Sequence, residues 1–95
     1  MSSLHTISKS PRFNLLESCL SAVSEGDSII FIEDGVYHCN ESELLAKLLS
    51  TSKCYGLKED LSARGLEVKV DVLQIISYRK FVELCASHEK IISWF

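Results

Sequence analysis

Ser28-Ile29-Ile30-Phe31-Ile32-Glu33-Asp34-Gly35 joins a short apolar run to a turn signal. The run is rich in Ile and Phe and shows no polar alternation, which is typical of a strand buried on both faces of a parallel sheet. The residues that follow the run predict a turn. We expect Asp34 to bond to the backbone of that turn and Gly35 to supply a positive φ.

Other strands and helices are predicted on both sides of this segment. The further strands cover residues 1–7, 52–57 and 72–76, and residues 91–95 can add a fifth. Residues 13–23 form an amphipathic pattern, in which Phe13 and Cys19 share the apolar half. A second helix starts near Glu41, where Asn40 and Glu43 can form a capping box.

A short third helix is expected over residues 59–64, and Gly65 can end it in a left-handed conformation. The apolar face of a last helix contains Tyr78, Phe81, Val82 and Cys85. Because strands alternate with helices, the fold class is α/β, a three-layer α/β/α sandwich with a mainly parallel sheet. The length of 95 residues predicts one domain over residues 1–95.

Composition and charge exclude several classes of protein. No apolar run reaches the roughly 20 residues of a membrane span, and no export signal is visible, so we expect a cytoplasmic protein without a membrane partner. The formal net charge is -3 and the basic residues are scattered. The chain is therefore not expected to bind tRNA directly, because phosphate binding needs local positive charge.

The four cysteines are expected to be free thiols, because the cytosol keeps thiols reduced. Cys39 is the only one in the loops beyond the carboxyl ends of the strands, where reactive groups of α/β sheets gather. Its place before the Asn40 cap predicts a reachable thiol of lowered pKa. The alternative is a buried filler. Cys19, Cys54 and Cys85 are expected to pack in the core.

Ordered short strings give the chain a family resemblance. They are Leu4-His5-Thr6 with Ser10-Pro11, Asp34-Gly35-Val36, Asp60-Leu61 with Ala63-Arg64-Gly65, and then Tyr78, Phe81-Val82, His88 and Trp94. Together they resemble the DsrH/TusB family of sulfur-relay subunits. The resemblance implies the same three-layer fold with a sheet of about five strands, an ordinary sheet size.

The resemblance also implies an accessory, non-catalytic subunit of a heterohexamer. Its partners would be two paralogous chains, TusC/TusD-like or DsrF/DsrE-like, and a small persulfide donor protein would deliver sulfur to the complex. In the TusB branch, the sulfur is used for 2-thiolation of the tRNA wobble uridine. TusD-type paralogues carry their cysteine at a place comparable to Leu57, where this chain has no thiol.

Two other functions remain open from the sequence. In the DsrH branch, which serves sulfur oxidation, Cys19 would carry the sulfur, because the string around it looks like the cysteine segment of that branch. A stand-alone thiol oxidoreductase would use Cys39, although such exchange normally needs a resolving cysteine.

The remaining conspicuous side chains have simpler roles. Tyr37, Trp94 and Phe95 are interface candidates, because aromatic residues are enriched where subunits meet. His5 is expected to be a hydrogen-bonded core histidine. Asp60 is expected to stabilise the amino end of its own helix by its negative charge. A zinc site from His38, Cys39, Cys85 and His88 lacks any recognised spacing, so no metal and no cofactor are expected.

Overall fold

Five parallel strands form one sheet in the order β4-β3-β2-β1-β5. The computed structural model describes residues 2–40, 43–68 and 73–94. The strands are β1 Ser3–Ile7, β2 Ser28–Phe31, β3 Lys53–Leu57, β4 Gln74–Ile76 and β5 Lys90–Trp94. The α-helices are α1 Leu15–Ala22, α2 Glu43–Leu49, α3 Lys58–Ala63 and α4 Tyr78–Ser87, and Pro11–Phe13 and Glu33–Cys39 are 3₁₀ helices.

The sheet is packed between two layers of helices, as the sequence predicted. On one face, Ile29 and Phe31 contact a core that includes Leu16 of α1 and Leu48 of α2. On the other face, Leu84 of α4 joins a smaller core. The predicted α/β/α sandwich with a parallel sheet of five strands is thereby confirmed.

The central strand β2 is buried on both faces. Ile29, Ile30 and Phe31 are all 0% exposed, and β1 and β3 flank the strand on either side. Successive side chains of a strand point to opposite faces, so an unbroken apolar run is needed when both faces are covered. The strand predicted over Ser28 to Ile32 is confirmed for Ser28–Phe31, and Ile32 caps the 3₁₀ helix that follows.

The first predicted helix is wrong at its amino end. Phe13 belongs to a 3₁₀ turn and is 54% exposed, although its spacing had placed it on the apolar face. Asn14 adopts a left-handed φ of 56° between the turn and α1, which separates Phe13 from the helical periodicity. The centroid of the Phe13 ring instead lies 5.5 Å from both Lys9 Nζ and Arg12 Cζ.

The last helix buries only part of the predicted face. Leu84 is buried, with Phe81 and Cys85 packed beside it, whereas Tyr78 and Val82 are exposed. The helix lies over the middle of the sheet with one flank open to solvent.

Several sequence predictions fall outside the described residues. These are the helix start at Glu41, the side chain of Glu43 in the capping box, Val72 at the start of the fourth strand, and Phe95.

The turn after β2 differs from the prediction in its backbone. Gly35 is not among the residues of positive φ, whereas Glu33 has a φ of 49°. Gly35 is required for another reason: a Cβ built on it would lie 1.9 Å from the carbonyl oxygen of Ile7. The turn therefore packs directly on the end of β1. Gly65 after α3 has the predicted left-handed conformation, with a φ of 63°.

Candidate functional site

Three charged side chains join the loops at the carboxyl end of the sheet. Arg64 donates through Nε and Nη2 to Asp34 Oδ1, at 3.1 and 3.0 Å. Its Nη1 also donates to the carbonyl oxygen of Asp60, at 3.2 Å. The Asp60 carboxylate accepts the backbone N–H of Glu33 at 2.6 Å. These bonds fix the turn after β2 to α3.

Two exposed tyrosines border this group. Tyr37 lies three residues after Asp34 in the second 3₁₀ helix and is 41% exposed. Tyr78 begins α4 and is 60% exposed. Its backbone N–H donates to the two carboxylate oxygens of Glu59, at 3.1 and 3.3 Å. We call Asp34, Tyr37, Asp60, Arg64 and Tyr78 the carboxyl-edge surface.

The sequence placed most of these residues in the right loops but missed their pairing. Asp34 was expected to stabilise its own turn, and Asp60 its own helix. Both instead bind groups from a different element, since Asp34 pairs with Arg64 across 30 positions of the chain and Asp60 bonds Glu33 across 27. Such contacts depend on crossover geometry, which a single sequence does not reveal. The only signal was that Asp34, Asp60, Arg64 and Tyr78 all occur in the strings that carry the family resemblance.

Of the two interpretations of Cys39, the buried filler agrees with the structure, whereas the accessible thiol of lowered pKa does not. Cys39 ends a 3₁₀ helix instead of preceding an α-helix directly, and it is 1% exposed. Burial, together with the nearby Cys54 thiol, raises the pKa of Cys39 to about 12. Because the thiolate is the nucleophile, Cys39 is unreactive in this conformation.

The other cysteines pack as predicted. Cys19 is 0% exposed, and burial with a contribution from Asp27 raises its pKa to about 12. Cys54 is 1% exposed, and burial with a contribution from Cys19 raises its pKa to about 12 as well. Cys85 is half-buried beside the α4 core.

Gly56 of β3 makes room for the Cys39 sulfur. A Cβ built on Gly56 would lie 2.9 Å from Cys39 Sγ and 3.2 Å from Leu61 Cδ1. We expect Gly56→Ala to lower the free energy of unfolding by about 2 kcal/mol, because an extra methyl group overfills a packed site. Urea denaturation measures this loss.

A second substitution tests the cause of that loss. Cys39→Ala removes the sulfur that the new methyl would meet, so the double variant should be more stable than the sum of the two single losses predicts. Strict additivity of the two losses would contradict the contact.

His5 and Trp94 belong to a buried hydrogen-bond network that runs from the carboxyl end of β5 to Asp27, the residue before β2. His5 Nε2 lies 2.9 Å from Asp27 Oδ2, and Trp94 Nε1 donates to His5 Nδ1 at 3.1 Å. Asp27 also accepts the backbone N–H groups of Ser3 and Ser24, at 2.9 and 3.0 Å. The prediction that His5 is a hydrogen-bonded core residue is confirmed. Trp94, an interface candidate, is half-buried, and its indole N–H is already used.

The two histidines considered for a zinc site make hydrogen bonds to backbone carbonyl groups instead. His38 Nε2 lies 3.2 Å from the Lys9 carbonyl oxygen, and its ring stacks on Phe31 at 5.4 Å. Burial lowers the pKa of His38, despite its hydrogen bond to Lys9. His88 lies 2.8 Å from the carbonyl oxygen of Leu84. Over residues 2–40, 43–68 and 73–94, no group of three or more metal-binding side chains is found. In the same ranges, no helix has the length and apolar character needed to cross a bilayer.

Comparison with known proteins gives consistent matches over nearly the whole chain. The DsrH family profile, described as "DsrH like protein", matches residues 9–91. "Protein TusB" of Photorhabdus laumondii is 39% identical over 97 residues, covering 96% of this chain and 99% of that protein. "Protein TusB" of Escherichia coli K12 is 34% identical over 95 residues, with the same coverage.

The same fold is found among solved structures. The crystal structure of the ychN protein from E. coli superposes with a TM-score of 0.77, covering 99% of this chain and 100% of that one. The sequence identity is 14%, so this likeness concerns the fold alone.

Proposed function

The chain belongs to the DsrH family, and from this premise we propose that it is an accessory subunit of a hetero-oligomeric sulfur-relay complex. The family match confirms the resemblance seen in the sequence and supports a sulfur-relay subunit. We further propose that the complex passes persulfide sulfur for 2-thiolation of the tRNA wobble uridine in the cytoplasm. The curated TusB relatives favour this branch, and they are the observation on which the proposal rests.

The proposed role is accessory because the thiols are poorly placed for transfer. Sulfur moves when a thiolate attacks a persulfide, which requires access and a low pKa. Cys19, Cys39 and Cys54 are buried and have pKa values raised to about 12. The sulfur-carrying cysteine is therefore assigned to a partner subunit.

The partners in this proposal are two paralogous subunits, TusC/TusD-like or DsrF/DsrE-like, in a heterohexamer. A small persulfide donor protein would reach this chain only through the complex. The carboxyl-edge surface is the part of the chain that we assign to shaping the partner's active site. Tyrosine and arginine are enriched at protein interfaces, and this surface contains both.

Burial weighs against both alternative functions. Cys19 would have to leave the core beneath α1 before it could carry sulfur in a DsrH-type oxidation pathway. Cys39 would have to leave the same core to act as a stand-alone oxidoreductase.

The thiolation state of tRNA tests the proposed function. In cells that lack this gene, we expect wobble thiolation to be lost and to return when the wild-type gene is supplied. Mobility of tRNA on a mercury-containing gel measures it. Unchanged thiolation in the deletion strain would contradict the tRNA branch.

Cysteine variants in the same strain separate the three functions. Cys19→Ala and Cys39→Ala should both restore thiolation, because neither thiol carries sulfur in the accessory role. Failure of a Cys19→Ala protein that accumulates normally would favour carriage on Cys19, and the same result for Cys39→Ala would favour Cys39. Mass spectrometry for one added sulfur atom identifies the carrier directly.

A substitution on the carboxyl-edge surface tests the partner contact. We expect Tyr37→Asp to weaken co-purification with the paralogous subunits by about tenfold or more, because an exposed aromatic anchor is replaced by a charge. Tyr37→Phe is the matched control and should bind normally. The stability of both variants should be close to wild type, since Tyr37 is 41% exposed. Equal co-purification of Tyr37→Asp and wild type would remove this residue from the interface.

A further inference from the structure

His5 is held between an acid and an indole, in a way that fixes the position of its proton. Its side chain is 0% exposed, with Asp27 at Nε2 and Trp94 at Nδ1. An indole N–H can only donate, so Nδ1 must accept and carries no hydrogen. Nε2 therefore carries the single ring proton and donates it to the Asp27 carboxylate.

The geometry of the two rings suits this hydrogen bond. The His5 and Trp94 ring planes differ by 21° and their centroids are 6.2 Å apart. The lone pair of Nδ1 lies in the plane of its ring, so a nearly coplanar partner can donate to it. A second proton on Nδ1 would occupy this lone pair and face the indole N–H directly.

Trp94 ends a strand that is held to the sheet on one side and packs its side chain on the main core. β5 is an edge strand that pairs only with β1. Ile91 and Ile92 of this strand are 49% and 37% exposed. Beyond the ladder, a bond from Thr6 Oγ1 to Ser93 Oγ at 3.1 Å and the bond from Trp94 to His5 connect the two strands. The Lys90 N–H also donates to the Ser2 carbonyl oxygen at 3.4 Å, and Trp94 packs on the main core.

We propose that His5 is a proton-controlled latch that holds Trp94 and the carboxyl end of β5 when neutral and releases them when protonated. A hydronium ion supplies the proton: an N–H bond forms at Nδ1, an O–H bond of the hydronium breaks and water leaves, while the Nε2–H bond stays intact. The imidazolium then retains Asp27 as its counter-charge, while Trp94 loses its acceptor. Because the ion pair offsets the cost of burying the charge, the core can hold both protonation states.

The other groups around His5 do not replace this acceptor. Cys19 on α1 is a neutral thiol, because burial and Asp27 raise its pKa to about 12. Ile29 of β2 stands opposite His5 in the sheet register. Lys90 lies on the same side of β5 as Trp94, by strand alternation, but at the far, exposed end of the strand. Asp27 is thus the only one of these groups with a negative charge that can pair with the imidazolium.

Trp94 is the only tryptophan of the chain, so intrinsic fluorescence reports on the latch directly. The experiment records Trp94 emission of the full chain as the pH is lowered from about 8 to about 5, a range in which histidine titrates. We expect the emission maximum to move to longer wavelength as the indole becomes solvated. Imidazole NMR signals of His5, followed on the same samples, should titrate with the same midpoint.

A non-titrating variant provides the control. In His5→Gln, the amide can donate to Asp27 and accept from Trp94, so emission should stay constant over the same range. His88→Gln should retain the wild-type transition. The latch is overturned if His5 titrates without a change in Trp94 emission, if His5 does not titrate in this range, or if His5→Gln keeps the shift. If His5→Gln does not fold, the wild-type chain decides alone. The latch then stands if Trp94 emission and the His5 imidazole signals change with one midpoint, and it is overturned if they do not.

Discussion

Replacement of Gly35 by alanine is expected to lower the free energy of unfolding by about 3 kcal/mol or more, because it overpacks a rigid site. The new Cβ would lie 1.9 Å from the carbonyl oxygen of Ile7 and 2.7 Å from its carbon. Both are backbone atoms of the strand that pairs with β2 and β5, so they cannot move aside as a flexible side chain could. Relief would require the turn to separate from β1. Urea denaturation with an unchanged m-value measures the loss.

Gly26→Ala is the matched control for this prediction. Gly26 has a φ of 89°, but a Cβ there has no atom within 4 Å. This variant incurs only the left-handed backbone cost of about 1–2 kcal/mol. The steric explanation fails if Gly35→Ala is as stable as Gly26→Ala. Recovery of folded Gly26→Ala under conditions where Gly35→Ala cannot be recovered would support it.

Removal of the Asp27 carboxylate is the second change expected to be severe. Asp27→Ala leaves three donors without their acceptor, namely the backbone N–H groups of Ser3 and Ser24 and Nε2–H of His5. A buried donor without a partner costs about 1–3 kcal/mol. His5 Nε2–H is buried, whereas the two backbone N–H groups are partly buried, so the total loss should be about 2 kcal/mol or more. Thermal or urea unfolding measures it.

Asp27 also predicts a specific dependence of stability on pH. Burial would raise its pKa, but the hydrogen bonds from His5, Ser24 and Ser3 outweigh burial and lower the pKa below the ordinary value of 3.8. The ionised carboxylate therefore stabilises the fold above pH 3.8, and this contribution is lost as the pH falls through the lowered pKa. Asp27→Asn should show less acid loss than wild type.

The exposed carboxylate of Asp34 provides the comparison. Its side chain is 61% exposed, and its ion pair with Arg64 should contribute less than about 1 kcal/mol. Asp34→Asn should therefore keep nearly wild-type stability and the acid loss of wild type. Equal stability losses in Asp27→Ala and Asp34→Asn would contradict the buried network.

The sequence was most informative where one residue type has one structural use. The apolar run from Ser28 to Ile32 predicted a strand buried on both faces, because only a doubly covered strand needs such a run. The alternation of strands with helices predicted the layers. Gly65 was identified as a left-handed helix end because glycine is favoured there, and the structure agrees.

The candidate site was only partly predictable. The position of Cys39 in the sequence gave no sign that the second 3₁₀ helix would turn its sulfur under β3 against Gly56. The link between Asp34 and Arg64 depends on how α3 approaches the turn after β2, which is a property of the assembled sheet. The bond from Trp94 to His5 joins residues 89 positions apart, beyond the reach of any local pattern.

The strand order has a consequence for how the chain is made. β1 is the first strand, yet one of its two neighbours is β5, and the side chains of Thr6 and Ser93 meet across 87 positions. During synthesis, one edge of β1 stays open until β5 emerges from the ribosome. Long-range pairing of this kind slows folding, and an open edge invites pairing with other chains. Nascent chains should therefore need protection until β5 has been released and can pair with β1.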